Sequence, residues 1–153
     1  FIDPQGAYFS IIKYAFADMG GTPEFDFADA FKTHGAFSWF ELRCEDVGAA
    51  REFYTALFGW NIEDMPMGDN SYPVIKVGDV GVGGMTPLPA PGIPPHWGGY
   101  ITVDDSDAIA EAATAAGATI HASMTIPTVG RFHAIADPQG AVVSVITYEK
   151  PAE

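Results

Sequence analysis

The feature that most constrains this chain is one order of elements run through twice. "FSWFELRCE", from Phe37, alternates apolar and polar residues as a half-buried strand does, and "DVGAAREFYTALFGW" then switches to helical spacing through Val47, Ala50, Phe53, Tyr54, Leu57 and Phe58. Asp46 suits the start of that helix as an N-cap, and Gly59 suits its end. Two short apolar runs, "SYPVIKVGD" and "VGVGGMTPL", come next and meet at a Gly-Asp turn. After the proline-rich "PAPGIPP" the order begins again. "HWGGYITVD" reads as a strand, "DSDAIAEAATAAGA" as a helix capped from Asp105 or Ser106 and closed at Gly117, "TIHASMTIP" as a strand, and "GRFHAIADPQGAVVSVITY" as a hairpin. Neither half can bury a sheet face alone, so the two must pair. The expected class is α+β, one domain over residues 36–150 built from modules 36–88 and 95–148.

A second repetition lies outside the modules. "IDPQGAYFSIIKY" (Ile2 to Tyr14) and "ADPQGAVVSVITY" (Ala136 to Tyr148) agree at Asp, Pro, Gln, Gly and Ala and then at Ser, Ile and Tyr. In each, Asp-Pro-Gln-Gly supplies turn chemistry and leads into a β-favouring run. Residues 1–14 are therefore expected to form an extra N-terminal β-hairpin, the tail of an upstream domain of the same type, and residues 15–35 a linker with Phe25, Phe27 and Phe31 tucked against the core. Such a hairpin is marginal alone and must pair with a sheet edge. Pairing with a second copy is expected over pairing within the chain, which makes the protein a homodimer.

Charge narrows the partners. Of 153 residues, 20 are acidic and 7 basic, and the net charge is -13 with the acids scattered along the chain. Such a field repels phosphate backbones and anionic lipid, so neither nucleic acid nor a membrane surface is an expected partner, whereas a small neutral or cationic molecule is. The single cysteine, Cys44, cannot close an internal disulfide, and neither a membrane-length apolar run nor a signal-peptide pattern is visible. A cytoplasmic setting is the expectation. The chain does not begin with methionine, and the opening hairpin fits a fragment of a longer tandem protein.

"EDVGAAREFYTALFGW" resembles the first-helix signature of the vicinal oxygen chelate superfamily, which includes glyoxalase I, bleomycin-resistance proteins and extradiol dioxygenases. "DPQGAVVSV" resembles that superfamily's closing strand, and "GRFHAIADPQGA" is similar to a glyoxalase-like subgroup often built as tandem domains. The resemblance implies two βαβββ modules whose curled mixed sheets form a cup around a small ligand. In metal-dependent members, histidine and glutamate on the cup face hold a divalent ion that polarises a substrate oxygen. Here the first ligand position falls on Trp39, its partner in the second module on Gly98, and the closing-strand glutamate is replaced by Ser144, with Ser10 at the same place in the opening hairpin. Between Ser71 and Leu88 the only carboxylate is Asp79, in a turn. Tryptophan and glycine side chains do not ligate and serine ligates poorly, so no metal and no cofactor are expected. A set made of His96, His133 and Glu41 is the alternative.

Strand alternation then assigns faces. Phe40, Leu42 and Cys44 should lie under the helix, with Trp39, Glu41 and Arg43 toward the cup. Trp97, Gly99, Ile101 and Val103 should lie helix-side, with His96, Gly98, Tyr100 and Thr102 toward the cup. Phe132 and Ala134 should be buried, with Arg131 and His133 on the opposite, cup-facing side, and Ser144 should line the last strand. The expected ligand contacts are Trp39, Glu41, His96, Tyr100, Arg131, His133 and Ser144, an aromatic wall with a few polar groups. Glu41 and His133 are the candidates for a general base. For Glu41 an ion pair with Arg43 or Arg131 competes with that role. The leading expectation is a metal-free binder of a small hydrophobic or aromatic molecule; the alternative is a lyase or isomerase with non-standard metal ligands or a Glu or His base.

Overall fold

The two Asp-Pro-Gln-Gly turns fold alike. The amide N–H groups of Gln5 and Ala7 donate to Asp3 Oδ1, both at 2.9 Å, and those of Gln139 and Ala141 donate to Asp137 Oδ1 at 2.8 and 2.9 Å. Gly6 and Gly140 close the turns at φ 106° and 93°, which a side chain would resist. The computed structural model, which describes residues 1–13, 15, 27–68 and 70–149, shows that the likeness stops there. After Ala141 the chain enters a strand held on both sides; after Ala7 it turns back as a short hairpin, the Ile2–Tyr8 bridge flanked by backbone hydrogen bonds in both directions between Phe1 and Phe9, and no strand continues from there to Lys13. A β-favouring run without a neighbouring ladder gains nothing from being extended.

The elements in chain order are α1 (Phe27–Ala30), β1 (Phe37–Cys44), α2 (Val47–Phe58), β2 (Asn61–Met67), β3 (Asn70–Val77), β4 (Val80–Pro87), β5 (His96–Thr102), α3 (Ser106–Ala115), β6 (Thr119–Ile126), β7 (Gly130–Ala136) and β8 (Val142–Tyr148). The class is α+β. Residue contacts divide the chain into two compact units, one of Phe1–Phe27 with Leu42–Trp97, the other of Ala28–Glu41 with Gly98–Glu153. Both β1 and β5 contribute residues to each unit. The expected linker carries the short helix α1; Phe25, Tyr14 and the rest of residues 16–26 lie outside the described residues.

In the first unit the strands run in the order β2-β3-β4-β1, with β2 antiparallel to β3 and β3 to β4. Asp46 caps α2 by accepting from the Ala49 N–H, and Gly59 ends it in the left-handed conformation at φ 66°. The buried face of α2, Ala50 and Tyr54, packs on Leu42, Cys44, Ile75 and Met85, with Ala7 of the opening turn fully enclosed in the same core. The Tyr54 hydroxyl donates to Asp3 Oδ2 at 2.9 Å and accepts from Trp97 Nε1 at 3.1 Å. Gln5 pairs its carboxamide with the backbone of Asp46 in both directions, each at 2.8 Å. Phe9 meets the rings of Tyr54 and Phe58 edge-on. The opening turn is thus part of this unit's core, while Tyr8, Ile11 and Ile12 beyond it are exposed. β2 is solvent-exposed along nearly its whole length and includes Pro66, the pattern of an edge strand.

The second unit has the order β5-β8-β7-β6, with β5 parallel to β8 and the other pairs antiparallel. Asp105 caps α3 by accepting from the Ala108 N–H. Both faces of this sheet are covered. Val103, Ile135 and Val145 pack with Ile109, Ala113 and Ala118 on the α3 side. Tyr100, Phe132 and Ile146 cluster on the other, with Trp39, Ile126, Val129 and Tyr148. Among the described residues no helix is long and apolar enough to cross a membrane.

Candidate functional site

Alternation on three strands builds a polar row on the face away from α3. Tyr100 of β5 is in register with Ser144 of β8, and Ser144 with Ala134 of β7, so their side chains stand side by side. One pleat along, Thr102, Ile146 and Phe132 form the next row. Tyr100 donates its hydroxyl to Glu41 Oε1 at 3.2 Å, which brings β1 into the first row. Glu41, Tyr100 and Ser144 are 7, 6 and 4 % exposed, a depth at which carboxylate and hydroxyl need hydrogen-bond partners.

Aromatic rings surround that row. Tyr100 meets Phe132 edge-on at 5.5 Å between centroids. Phe31 packs against Trp39 and Tyr148, so of the linker phenylalanines Phe31 does sit against the core. The Tyr148 hydroxyl hydrogen-bonds with Ser38 Oγ at 2.9 Å, and burial raises its pKa above the usual tyrosine value. Trp39 and Tyr148 are half-buried and form the margin of the cluster. Chemically this is a buried, π-rich cluster around one acid and the hydroxyls of Tyr100, Ser144, Ser38 and Tyr148, the kind of lining that orients a flat molecule and takes or gives a single proton.

The structure brings Trp39, Glu41, Tyr100 and Ser144 together and sets Arg131 and His133 on the other face of the sheet. Arg131 and His133 face α3, not the face of Glu41. Arg131 Nε donates to both carboxylate oxygens of Asp107, at 2.7 and 2.8 Å, and this pairing holds the Asp107 carboxyl below the ordinary aspartate range. His133 sends Nε2 to Asp107 Oδ1 at 3.0 Å and Nδ1 to Ser123 Oγ at 2.8 Å. The expected assignment takes burial of Phe132 and Ala134 as the mark of the helix side; β7 is buried on both faces, so burial does not tell them apart. Phe40 is a second correction: it lies exposed, stacked on Phe37 at 6.1 Å, rather than under a helix with Leu42 and Cys44. His96 belongs to the first unit, where its Nδ1 bonds the Pro94 carbonyl at 2.8 Å. Asp107, Ser123 and Ser38 are absent from the expected set, and alternation along β7 carries no signal for Asp107, which reaches Arg131 and His133 from α3.

Among the described residues no three histidine, cysteine or acidic side chains converge to hold a metal ion, and Glu41 and His133 point to opposite faces of the sheet.

The protein-family model described as "Bleomycin resistance protein-like N-terminal" matches residues 37–78. "Putative glyoxylase CFP32" of Mycobacterium tuberculosis is 43 % identical over 120 residues, covering 77 % of this chain and 45 % of that protein. The "Anthracycline biosynthesis protein DnrV" of Streptomyces peucetius is 31 % identical over 150 residues, covering 95 % of this chain and 50 % of that protein. The chain thus spans about half the length of the curated relatives it matches. Among solved structures, the methylmalonyl-CoA epimerase of Mycobacterium tuberculosis aligns with a TM-score of 0.55 at 12 % identity, covering 77 % of this chain and 93 % of that one. The Streptomyces coelicolor epimerase in complex with 2-nitronate-propionyl-CoA aligns with a TM-score of 0.54 at 16 % identity, covering 77 % of this chain and all of that one. These two are likenesses of fold.

Proposed function

Because the chain belongs to the vicinal oxygen chelate superfamily, we propose that it is a glyoxalase-like module holding a small, flat aromatic molecule against Trp39, Tyr100 and Phe132, without a metal. The observation that carries this reading is the hydrogen bond between the buried Glu41 and Tyr100 within an aromatic cluster. A buried acid is expensive to keep, and a site that must orient a ligand hydroxyl or amine is the common reason to keep one. Replacement of the superfamily's ligand positions by Trp39, Gly98 and Ser144 supports a site that binds through rings and hydroxyls rather than through an ion. Relatives named for anthracycline biosynthesis point to the same ligand class, since anthracyclines are fused, flat and aromatic.

Titration with quinizarin, a neutral dihydroxyanthraquinone, monitored by tryptophan fluorescence tests this. Saturable one-to-one quenching is expected, weakened about tenfold by Tyr100→Phe, the loss of one hydrogen bond's orienting effect. Equal affinity in wild type and the variant, or binding only with added divalent metal, overturns it.

A second reading is favoured by the same acid. Glu41 can serve as general base in a lyase or isomerase step on a carbon acid held over the aromatic surface, and turnover abolished by Glu41→Gln with binding retained would select it. Self-association through the exposed Tyr8, Ile11 and Ile12, and a cytoplasmic setting, belong to the same proposal; a monomeric mass by light scattering across the micromolar range removes the former.

A further inference from the structure

On the α3 face of the second unit, four side chains form a grid across two strands. Ser123 of β6 is in register with His133 of β7, and Thr125 with Arg131. Asp107, in the first turn of α3, bridges the second column: it accepts from His133 Nε2 at 3.0 Å and from Arg131 Nε. Arg131 Nη1 donates to Thr125 Oγ1 at 3.2 Å.

The chemistry fixes the proton. Asp107 is paired with a guanidinium, so it is ionised and can only accept; the proton of a neutral His133 therefore sits on Nε2. That leaves the Nδ1 lone pair to accept from the Ser123 hydroxyl, 2.8 Å away. Nucleophile, base and orienting acid thus stand in hydrogen-bonded sequence, and His133, only 3 % exposed, cannot rotate away. We infer that Ser123 is an activated nucleophile toward small, activated acyl esters, with His133 as its base, Asp107 as the positioning residue and the Arg131 guanidinium beside the place where negative charge develops on the acyl oxygen.

The step balances without a cofactor. Serine Oγ bonds to the acyl carbon as its proton passes to His133 Nδ1, the C–O bond to the leaving group breaks, and the departing oxygen takes that proton. Water repeats the sequence on the acyl-serine, releases the carboxylic acid and restores the hydroxyl. Ser123 is exposed on the edge strand, which admits a short acyl group and offers a long one no wall. This inference stands apart from the binding reading, since Glu41 and Tyr100 occupy the opposite face.

The test is covalent. A fluorophosphonate probe should label one serine, located at Ser123 by peptide mass spectrometry, with p-nitrophenyl acetate hydrolysed in parallel. Ser123→Ala should abolish both, and His133→Gln should lower both at least a hundredfold, the size of a general-base contribution. Should His133→Gln fail to fold, Ser123→Cys keeps the question open to measurement. Its thiol should react with iodoacetamide at pH 7 at least tenfold faster than free cysteine, and Cys44, buried with its thiol pushed up to about 11, should not compete. Labelling spread over several serines, labelling unchanged in Ser123→Ala or in a folded His133→Gln, or alkylation no faster than free cysteine, overturns the assignment.

Discussion

Tyr54→Phe removes one atom and tests whether the opening turn is anchored as described. The Tyr54 hydroxyl donates to the Asp3 carboxylate at 2.9 Å and accepts from Trp97 Nε1 at 3.1 Å, both inside a core where Tyr54 is fully buried. Losing a hydrogen bond to a charged acceptor costs about 2 kcal/mol, and leaving the indole N–H without its partner adds about 1 kcal/mol. The sum, about 3 kcal/mol, corresponds to a fall in Tm of about 6–12 °C for a chain of this size. A double-mutant cycle with Asp3→Ala isolates the pair, with a coupling of about 2 kcal/mol expected by chemical denaturation. Limited proteolysis should cut the first nine residues sooner in Tyr54→Phe than in wild type, because the hydroxyl is one of their polar tethers, beside the two Gln5–Asp46 hydrogen bonds. A fall in Tm below about 2 °C, or a coupling under about 0.5 kcal/mol, refutes the reasoning.

Three further outcomes rest on single contacts. Gly130→Ala should destabilise by about 2–3 kcal/mol, since at φ 152° its Cβ would lie 2.2 Å from the Thr147 carbonyl oxygen, a backbone atom with no room to retreat; an unchanged denaturation midpoint refutes this. Asp107, Asp64 and Glu63 have carboxyl pKa values lowered by Arg131, Arg51 and Lys76 respectively, so their stabilisation is complete above their ordinary values of 3.8, 3.8 and 4.5 and is lost as pH falls through the folded values. The Tm should therefore drop in that acidic window and drop less in Asp64→Asn; equal acid sensitivity of both proteins would contradict it. Native protein should resist a thiol reagent at pH 8 and react fully on unfolding, because burial first, and then the charges of Asp3 and Asp46, raise the Cys44 thiol to about 11; rapid native labelling would contradict that.

Much of the architecture is legible in the sequence because each signal is local. Asp46, Gly59 and Asp105 cap helices through contacts with residues a few positions away, and the two Asp-Pro-Gln-Gly turns close on their own backbone, so sequence alone places them. The conformation of Tyr8–Lys13, just past the first of those turns, is not legible, since forming a strand there depends on a neighbouring ladder rather than on propensity. The site divides the same way. Parity correctly groups Trp39 with Glu41 and Tyr100 with Ser144, but parity gives two faces without saying which one a helix covers. For β7 the usual hint, that the apolar face is the buried one, fails because Phe132 and Ile135 are buried on opposite sides. That hint sends Arg131 and His133 to the wrong face, and only the position of Asp107 resolves it.

Where the ligand binds is read most directly from a backbone amide chemical-shift map of the metal-free protein titrated with quinizarin. Saturable perturbations centred on Trp39, Glu41, Tyr100 and Ser144, undiminished by a chelator, are expected. Shifts confined to the α3 face or scattered over the acidic surface, or a map that appears only after a divalent cation is added, would contradict that expectation.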